Sequence, residues 1–272
     1  MFQDNQRDDM TRLKLAICIP VYDKPEAMFM QSLLAAIRHF SQANLTNEHD
    51  EKYDVDVQTF IVTSSNLCQN RHKLAAEAVN WGADYMLFAD ADHVFPEDAI
   101  ARLWSRNKQI IGCNYARRCT PTAPTAAQDV TSADEEDYKN LVYTSPEKAD
   151  AGLVEEVLHL GFGLCLIRMD VFDALQDHAE AQGKSSFLPL FKFEDDGTGA
   201  NAIGEDVYFF QKCRAAGLKV WVDHHLSWEV GHIAAAIMTN AHAWRQKDKW
   251  AEQCQAAFKK YEERAKELEG AD

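Results

Sequence analysis

The chain reads as an α/β protein with a mainly parallel, doubly wound sheet flanked by helices and further helices at its C-terminus. Short apolar runs alternate with amphipathic stretches through the first 115 residues or so. Helix start and stop signals fall between the runs, as with Thr63-Ser64-Ser65-Asn66 and Gly82 around one helix. One run, Tyr85 to Ala89, gives way at once to Asp90-Ala91-Asp92-His93. In an open α/β sheet, ligands gather just beyond the carboxyl ends of the strands, so a site is expected there.

Taken in order, a polar tail precedes an apolar strand from Leu13 to Ile19, which Pro20 is expected to stop. Pro25 then sits in the first turn of a helix whose apolar face is Met28, Leu33, Ala36, Ile37 and Phe40. A hydrophilic connection, Ser41 to Asp54, leads to a second strand, Val55 to Val62. The capped helix to about Trp81 and the strand before Asp90 follow. Next come a helix from Pro96 to Trp104 and a strand around Ile110 to Cys113. Tyr115 to Gly152 is rich in Thr, Pro, Ala, Asp and Glu and reads as a long, partly mobile excursion, not a linker between domains.

The strand pattern resumes at Val157-Leu158-His159-Leu160, then Gly161-Phe162-Gly163 precedes the apolar Leu164 to Ile167. A short helix is expected from Asp170 to Gln176, and Glu194 to Gly199 is the best candidate for a flexible lid. Glu205 to Ala216 is helical, Gly217 ends it, and Leu218 to Val222 is another strand. Ile233 to about Leu268 reads as one or two amphipathic helices. The expected organisation is therefore a tail over 1–12, one domain over 13–232 and a helical extension over 233–272. That domain is expected to fall into a first part at about 13–115 and a second at about 153–232.

Of 272 residues, 46% are hydrophobic and 26% charged, which suits one large domain or two small ones. No apolar run approaches a membrane span, and the polar start is unlike a signal peptide. Seven cysteines without a C-x-x-C pair read as reduced thiols of a cytoplasmic protein. A net charge of −15 argues against broad binding to nucleic acid or anionic lipid, although a local basic pocket is compatible with it.

Asp90 and Asp92 can be read in two ways. Two acids separated by one small residue can share a hard divalent cation that also holds phosphate oxygens. Alternatively, they form an acidic turn capping the helix that Pro96, Glu97 and Asp98 announce. Glu205-Asp206 opens a helix, where the positive end of the dipole favours carboxylates for stability alone. Arg117-Arg118 follows a strand in a chain short of positive charge, which suits a diphosphate or an anionic acceptor. Equally, one of them can pair with the acid-rich excursion.

Pro20-Val21-Tyr22, Asp90-Ala91-Asp92, Gly161-Phe162-Gly163, Gly204-Glu205-Asp206 and Gly231-His232 occur in an order that resembles nucleotide-sugar glycosyltransferases of the GT-A fold, in particular small bacterial and phage members. The resemblance covers Leu13 to about Ile233 and implies a nucleotide-binding part at about 13–115 and an acceptor part at about 153–232. It implies Mn²⁺ or Mg²⁺ on Asp92, with Asp90 meeting the ribose or binding the ion through water. His232 is the implied third ligand, returned to the sheet by the strand Leu218 to Val222. His93, His224 and His225 compete with it, and His93 is expected to point away from an ion shared with Asp92.

The resemblance also places the nucleobase at Pro20, Val21, Tyr22 and Asp23, with Tyr22 available to stack on a pyrimidine. Ala91 belongs to the same nucleotide-sugar site. Ser65 stands where related enzymes often carry an Asp touching the base, a departure that leaves uracil specificity open. Arg71 matches an arginine directed toward the nucleotide, with a solvated helix face as the other reading. Gly161, Phe162 and Gly163 let the backbone approach a sugar, or simply make a tight turn. If configuration inverts, Asp206 is the implied general base, and Glu205 holds acceptor or sugar. Trp228 stacks on a sugar or base, or is core.

The resemblance thus implies metal-dependent transfer from a nucleoside-diphosphate sugar, with UDP as the expected nucleotide, to the hydroxyl of a saccharide or small molecule. No membrane partner is expected. Transfer to hydroxymethylated pyrimidines in DNA is the alternative acceptor chemistry, and the overall charge opposes it. A nucleotidyltransferase would be expected to carry a glycine- and lysine-rich loop where Pro20-Val21-Tyr22-Asp23 stands. A noncatalytic sugar-binding module leaves Asp90, Asp92, Asp206 and His232 without a purpose.

Overall fold

The computed structural model describes residues 11–46, 52–128, 140–194, 203–234 and 236–269. Its strands are β1 (Arg12–Val21), β2 (Asp54–Thr63), β3 (Tyr85–Ala89), β4 (His93–Val94), β5 (Ile110–Gly112), β6 (Val154–Val157), β7 (Leu164–Arg168), β8 (Val220–Asp223), β9 (Gly231–Ile233) and β10 (Ile237–Thr239). Its helices are α1 (Ala27–Gln42), α2 (Leu67–Trp81), α3 (Ala99–Ser105), α4 (Pro146–Asp150), α5 (Asp170–Ala181), α6 (Glu205–Ala215), α7 (His224–Glu229) and α8 (Asn240–Glu269).

Seven strands form one sheet in the order β2-β1-β3-β7-β5-β8-β6. β1 is parallel to β2 and β3, and β5 to β8, whereas β7 runs against both its neighbours and β6 against β8. The sheet is therefore mainly parallel, with helices on both faces. Successive residues of its central strands feed opposite faces, as the two-residue period requires. Leu15, Ile17, Ile19 and Leu87 pack with Phe29 and Leu33 of α1 and Ile100 and Leu103 of α3. Ala16, Cys18, Met86 and Phe88 pack with Leu74 of α2 and Phe209 and Phe210 of α6. Burial on both faces is why these strands read as nearly unbroken apolar runs.

Several boundaries differ from the sequence reading. β1 passes through Pro20 to Val21, still in register with Val62 and Thr63 of β2. β3 pairs only with Leu15 to Cys18, so at Pro20 one side of the strand needs no donor. Pro25 lies ahead of α1, whose cap position is Glu26. α2 is as expected, with Asn66 accepting from the Gln69 amide and Gly82 closing it at φ 71°. α3 begins at Ala99, after a turn in which the Ala99 amide meets the Pro96 carbonyl. β6 spans Val154–Val157 instead of Val157 to Leu160, and α5 continues to Ala181 because Ala179 is still buried.

The described parts of the 115–152 excursion are packed, not loose. The Asn114 carboxamide organises them: Nδ2 donates to the Val142 carbonyl, and Oδ1 accepts from the Thr125 and Ala126 amides. α4 lies within the excursion, started by Ser145 as cap and Pro146 at its first position. The C-terminal segment begins with a strand, β10, before the single helix α8. Of the expected lid, Glu194 pairs with Ile203, and residues 195–202 lie outside the described residues. None of the seven cysteines forms a disulfide. Among the described residues, no helix is long and apolar enough to cross a membrane.

Candidate active site

The turn after β3 is held residue by residue from three directions. The Asp90 amide donates to the Gly163 carbonyl (3.1 Å), the Glu26 amide to the Ala91 carbonyl (2.9 Å), and the Ile233 amide to the Asp92 carbonyl (2.7 Å). The chain then enters β4, which pairs antiparallel with β9 so that His93 faces His232. Asp90 and Asp92 are therefore a strand-to-strand turn. They do not cap α3, which starts only at Ala99. His232 arrives on its own strand, β9, and not as an appendage of β8. β10, β9 and β4 form the small second sheet that makes this connection.

Asp92, His93 and His232 offer ligand atoms that all lie within 4.8 Å of one another. His93 thus turns toward the shared site, contrary to expectation, because the turn at Ala91 and Asp92 breaks the alternation of a continuous strand. Its Nδ1 lies 3.0 Å from Asp92 Oδ1, and His232 Nε2 lies 3.4 Å from Asp92 Oδ2. The two imidazoles stack at 4.3 Å between centroids, with Tyr115 edge-on to both. His232 Nδ1 sits 3.0 Å from the Ala116 carbonyl. A carbonyl only accepts, so Nδ1 carries a hydrogen, and Nε2 is the ring nitrogen turned toward Asp92.

This donor set fits a divalent ion. His93 Nε2 is buried without a hydrogen-bond partner, an unfavourable state for a polar atom that an ion would relieve. Burial pushes the His93 imidazole below its ordinary value despite the neighbouring carboxylate, which favours the neutral, metal-binding form. Burial by itself would raise the Asp92 carboxyl. The hydrogen bonds and charges of His232 and His93 outweigh that and hold it well below the usual carboxylate range. One oxygen donor with two imidazoles suits Mn²⁺ better than Mg²⁺.

Beside this cluster, Arg71 of α2 is fully buried and joins two acids. Its Nη2 lies 2.9 Å from Asp90 Oδ1 and its Nε 3.1 Å from Glu205 Oε1. The guanidinium lies over the rings of Phe88 and Phe162, at 5.2 and 4.7 Å. It is therefore not a solvated helix residue, and its Nη1 is buried without a hydrogen-bond partner. Asp90 is directed to Arg71, while Asp92 faces the histidines.

The acid pair opening α6 is divided by this arrangement. Glu205 is buried against Arg71, whereas Asp206 retains partial exposure and accepts from the Val207 amide at 2.7 Å. Burial pushes the Asp206 carboxyl up to about 6, reinforced by Glu205 and opposed by Val207 and Arg71. Two adjacent carboxyls in different environments can take different roles, and Asp206 is the one suited to exchange a proton near neutral pH.

The remaining candidates are placed as follows. Pro20 and Val21 are buried at the end of β1, where the Val21 carbonyl accepts from the Ser64 amide at 3.1 Å. Tyr22 is 79% exposed, and Asp23 and Ser65 are exposed as well. Phe162 lies in the core among Phe88, Phe191, Phe209 and Phe210. A Cβ on Gly161 would run into the Tyr115 hydroxyl, and one on Gly163 into His93 and the Tyr115 ring. These glycines thus admit Tyr115 and His93 to the backbone. Arg118 Nη1 lies 2.9 Å from Asp92 Oδ2, and Arg117 approaches the Trp250 ring of α8. Trp228 is half-buried on α7. His224 is buried between Thr144 and Glu155, and exposed His225 lies 3.9 Å from Glu229, so neither joins the Asp92 cluster.

The sequence reading missed Tyr115 and misjudged His93. Adjacency to the acid pair is a local signal for His93. Tyr115 carries none, because its place depends on cavities left by two glycines some fifty residues later.

No protein-family model matches the chain, and no curated protein matches it in sequence. Among solved structures, the chain is similar to A197 from STIV at 16% identity, over 82% of this chain and 86% of that one, with a TM-score of 0.48. It is also similar to GalNAc-T7, crystallised with UDP, GalNAc and Mn²⁺, at 14% identity over 84% of this chain, with a TM-score of 0.45. This chain spans 45% of the GalNAc-T7 chain. Likenesses of this size identify no family.

Proposed function

We propose that the protein is a metal-dependent glycosyltransferase that moves a sugar from a nucleoside-diphosphate donor, with UDP as the expected nucleotide, to an acceptor hydroxyl. The observation that carries this reading is the Asp92, His93 and His232 cluster at the carboxyl end of β3, beside the Arg71, Asp90, Glu205 and Asp206 constellation. The ordered motifs of the sequence support the same reading. Asp92, His93 and His232 hold the ion, which supplies Lewis-acid neutralisation of the departing diphosphate.

In this reading, the exposed end of β1 at Tyr22 and Asp23, with Ser65 beside it, receives the base. Asp90, fixed by Arg71, presents its carboxylate toward the ribose. Arg71 and Glu205 hold the start of α6 so that Asp206 faces the acceptor. Asp206 accepts the proton of the acceptor hydroxyl as that oxygen bonds the anomeric carbon and the bond to the diphosphate breaks. This base role belongs to a reaction that inverts configuration at the anomeric carbon. A saccharide or other small hydroxyl compound suits the net charge of −15 better than a nucleic acid.

The test is a panel of nucleotide sugars with Mn²⁺, scored by release of nucleoside diphosphate. At least one donor is expected to be turned over slowly by water alone, and Asp92→Asn and His232→Ala are expected to abolish Mn²⁺-dependent nucleotide binding while circular dichroism stays unchanged. No release from any donor, together with unaltered binding in both variants, would sink the proposal.

A further inference from the structure

We propose that Arg118 is a displaceable counter-charge for the Asp92 centre, passing from Asp92 to the diphosphate of the donor when ion and nucleotide bind together. This inference rests on the metal-dependent reading above and assigns that site a coupling between its two ligands. Arg118 Nη1 lies 2.9 Å from Asp92 Oδ2. That same oxygen faces His232 Nε2 at 3.4 Å. The guanidinium therefore occupies the oxygen that an ion shared by Asp92 and His232 would need.

The two partners differ in freedom. The Arg118 side chain is 55% exposed and that of Asp92 25%, so the guanidinium can swing into solvent while the carboxylate stays in place. The backbone beneath Arg118 is braced. The Ala116 carbonyl holds His232 Nδ1, the Arg117 amide donates to the Ala123 carbonyl (2.8 Å), and the Thr122 hydroxyl donates to the Arg117 carbonyl (2.6 Å). The Thr122 amide in turn donates to Gln246 Oε1 of α8 at 3.0 Å. One loop thus orients the histidine ligand and delivers the arginine, and only the arginine side chain needs to move.

A half-buried carboxylate requires a positive partner, and either a guanidinium or a divalent cation serves. Both at one oxygen repel each other, so the ion must evict Arg118. A planar guanidinium matches phosphate oxygens in paired hydrogen bonds, so the donor diphosphate is the group that receives it. Ion alone competes with Arg118, and nucleotide alone finds Arg118 engaged. Together each removes the other's obstacle, and the coupling is reciprocal.

The test measures Mn²⁺ binding by calorimetry and electron paramagnetic resonance, with and without UDP, for the wild type and Arg118→Gln, with Arg118→Lys as the charge-retaining control. The exposed position lets the variants fold, which circular dichroism checks. In the wild type, UDP should tighten Mn²⁺ binding by roughly 5–150-fold, the usual range of such couplings. Arg118→Gln should bind Mn²⁺ alone several-fold tighter, bind UDP at saturating Mn²⁺ at least about tenfold more weakly, and lose most of the coupling. Arg118→Lys should fall between the two.

Unchanged or weaker Mn²⁺ binding by Arg118→Gln without nucleotide would overturn the displacement, even if UDP binding fell. Wild-type and variant proteins that bind Mn²⁺ and UDP identically would overturn this inference and leave the metal-dependent reading standing. A wild type that binds no Mn²⁺ would end both.

Discussion

At the scale of single residues, the site separates like groups by giving them unlike partners. Asp90 is committed to Arg71, and Asp92 to the histidines and Arg118. Glu205 is locked to Arg71, and Asp206 is left with a carboxyl raised to about 6. An acid with a raised folded value binds its proton more tightly in the folded state. Its relative contribution to stability is therefore full below the unfolded value and lost as pH rises through about 6. As a base, Asp206 works only when deprotonated, so turnover should climb between about pH 5 and 7, centred near the value of about 6. Asp206→Asn should remove that ascending limb and lower transfer on the order of 10²–10⁴-fold, with donor and Mn²⁺ affinity near wild type. Near-normal turnover by the variant, measured across that pH range, would refute the assignment.

At the scale of elements, the site is made where two small strands meet a loop that the main sheet does not contain. β4 and β9 bring His93 opposite His232, and the loop before β7 supplies the space that lets His93 and Tyr115 pack there. Gly163 is central to this, since its amide meets the Tyr115 hydroxyl at 3.3 Å and its missing side chain is the space His93 fills. Gly163→Ala would set its Cβ against His93 Nε2 and must push that ring aside. It should weaken Mn²⁺ binding by roughly 10–100-fold, as losses of supporting residues around metal ligands do. Calorimetry on a well-folded Gly163→Ala protein decides this, and undiminished affinity would mean that His93 is not a ligand. Gly161, whose Cβ would meet the Tyr115 hydroxyl, works through the same ring.

At the scale of the whole molecule, the proposed ion ties the turn after β3 to a strand more than 130 residues later. β9 continues through β10 into α8, so the C-terminal segment belongs to the same framework and is not a separate appendage. An ion bound by both His93 and His232 stabilises only the arrangement in which β4 and β9 are paired. Mn²⁺ at about 100 times its dissociation constant should therefore add about 2.7 kcal/mol to the stability of the folded chain, by mass action. Scanning calorimetry should show a raised midpoint with Mn²⁺ in the wild type and little or none in His232→Ala. Equal shifts in both proteins would place the ion elsewhere on an acidic surface of net charge −15.

The sequence by itself determined the alternation of strands and helices, because strands buried on both faces and amphipathic helices leave different apolar periods. It marked Asp90-Ala91-Asp92 as a strand-end turn, Asn66 and Gly82 as the limits of α2, and Glu205-Asp206 as the start of α6, since each signal lies within a few residues. Only the tertiary structure decided the antiparallel insertion of β7 between β3 and β5, which depends on how a distant segment returns to the sheet. It also decided the orientation of His93, the burial of Arg71 between two carboxylates, and the contact of Arg118 with Asp92. Each of these arises between residues far apart in the chain, where neither periodicity nor a local motif records which side chains will meet.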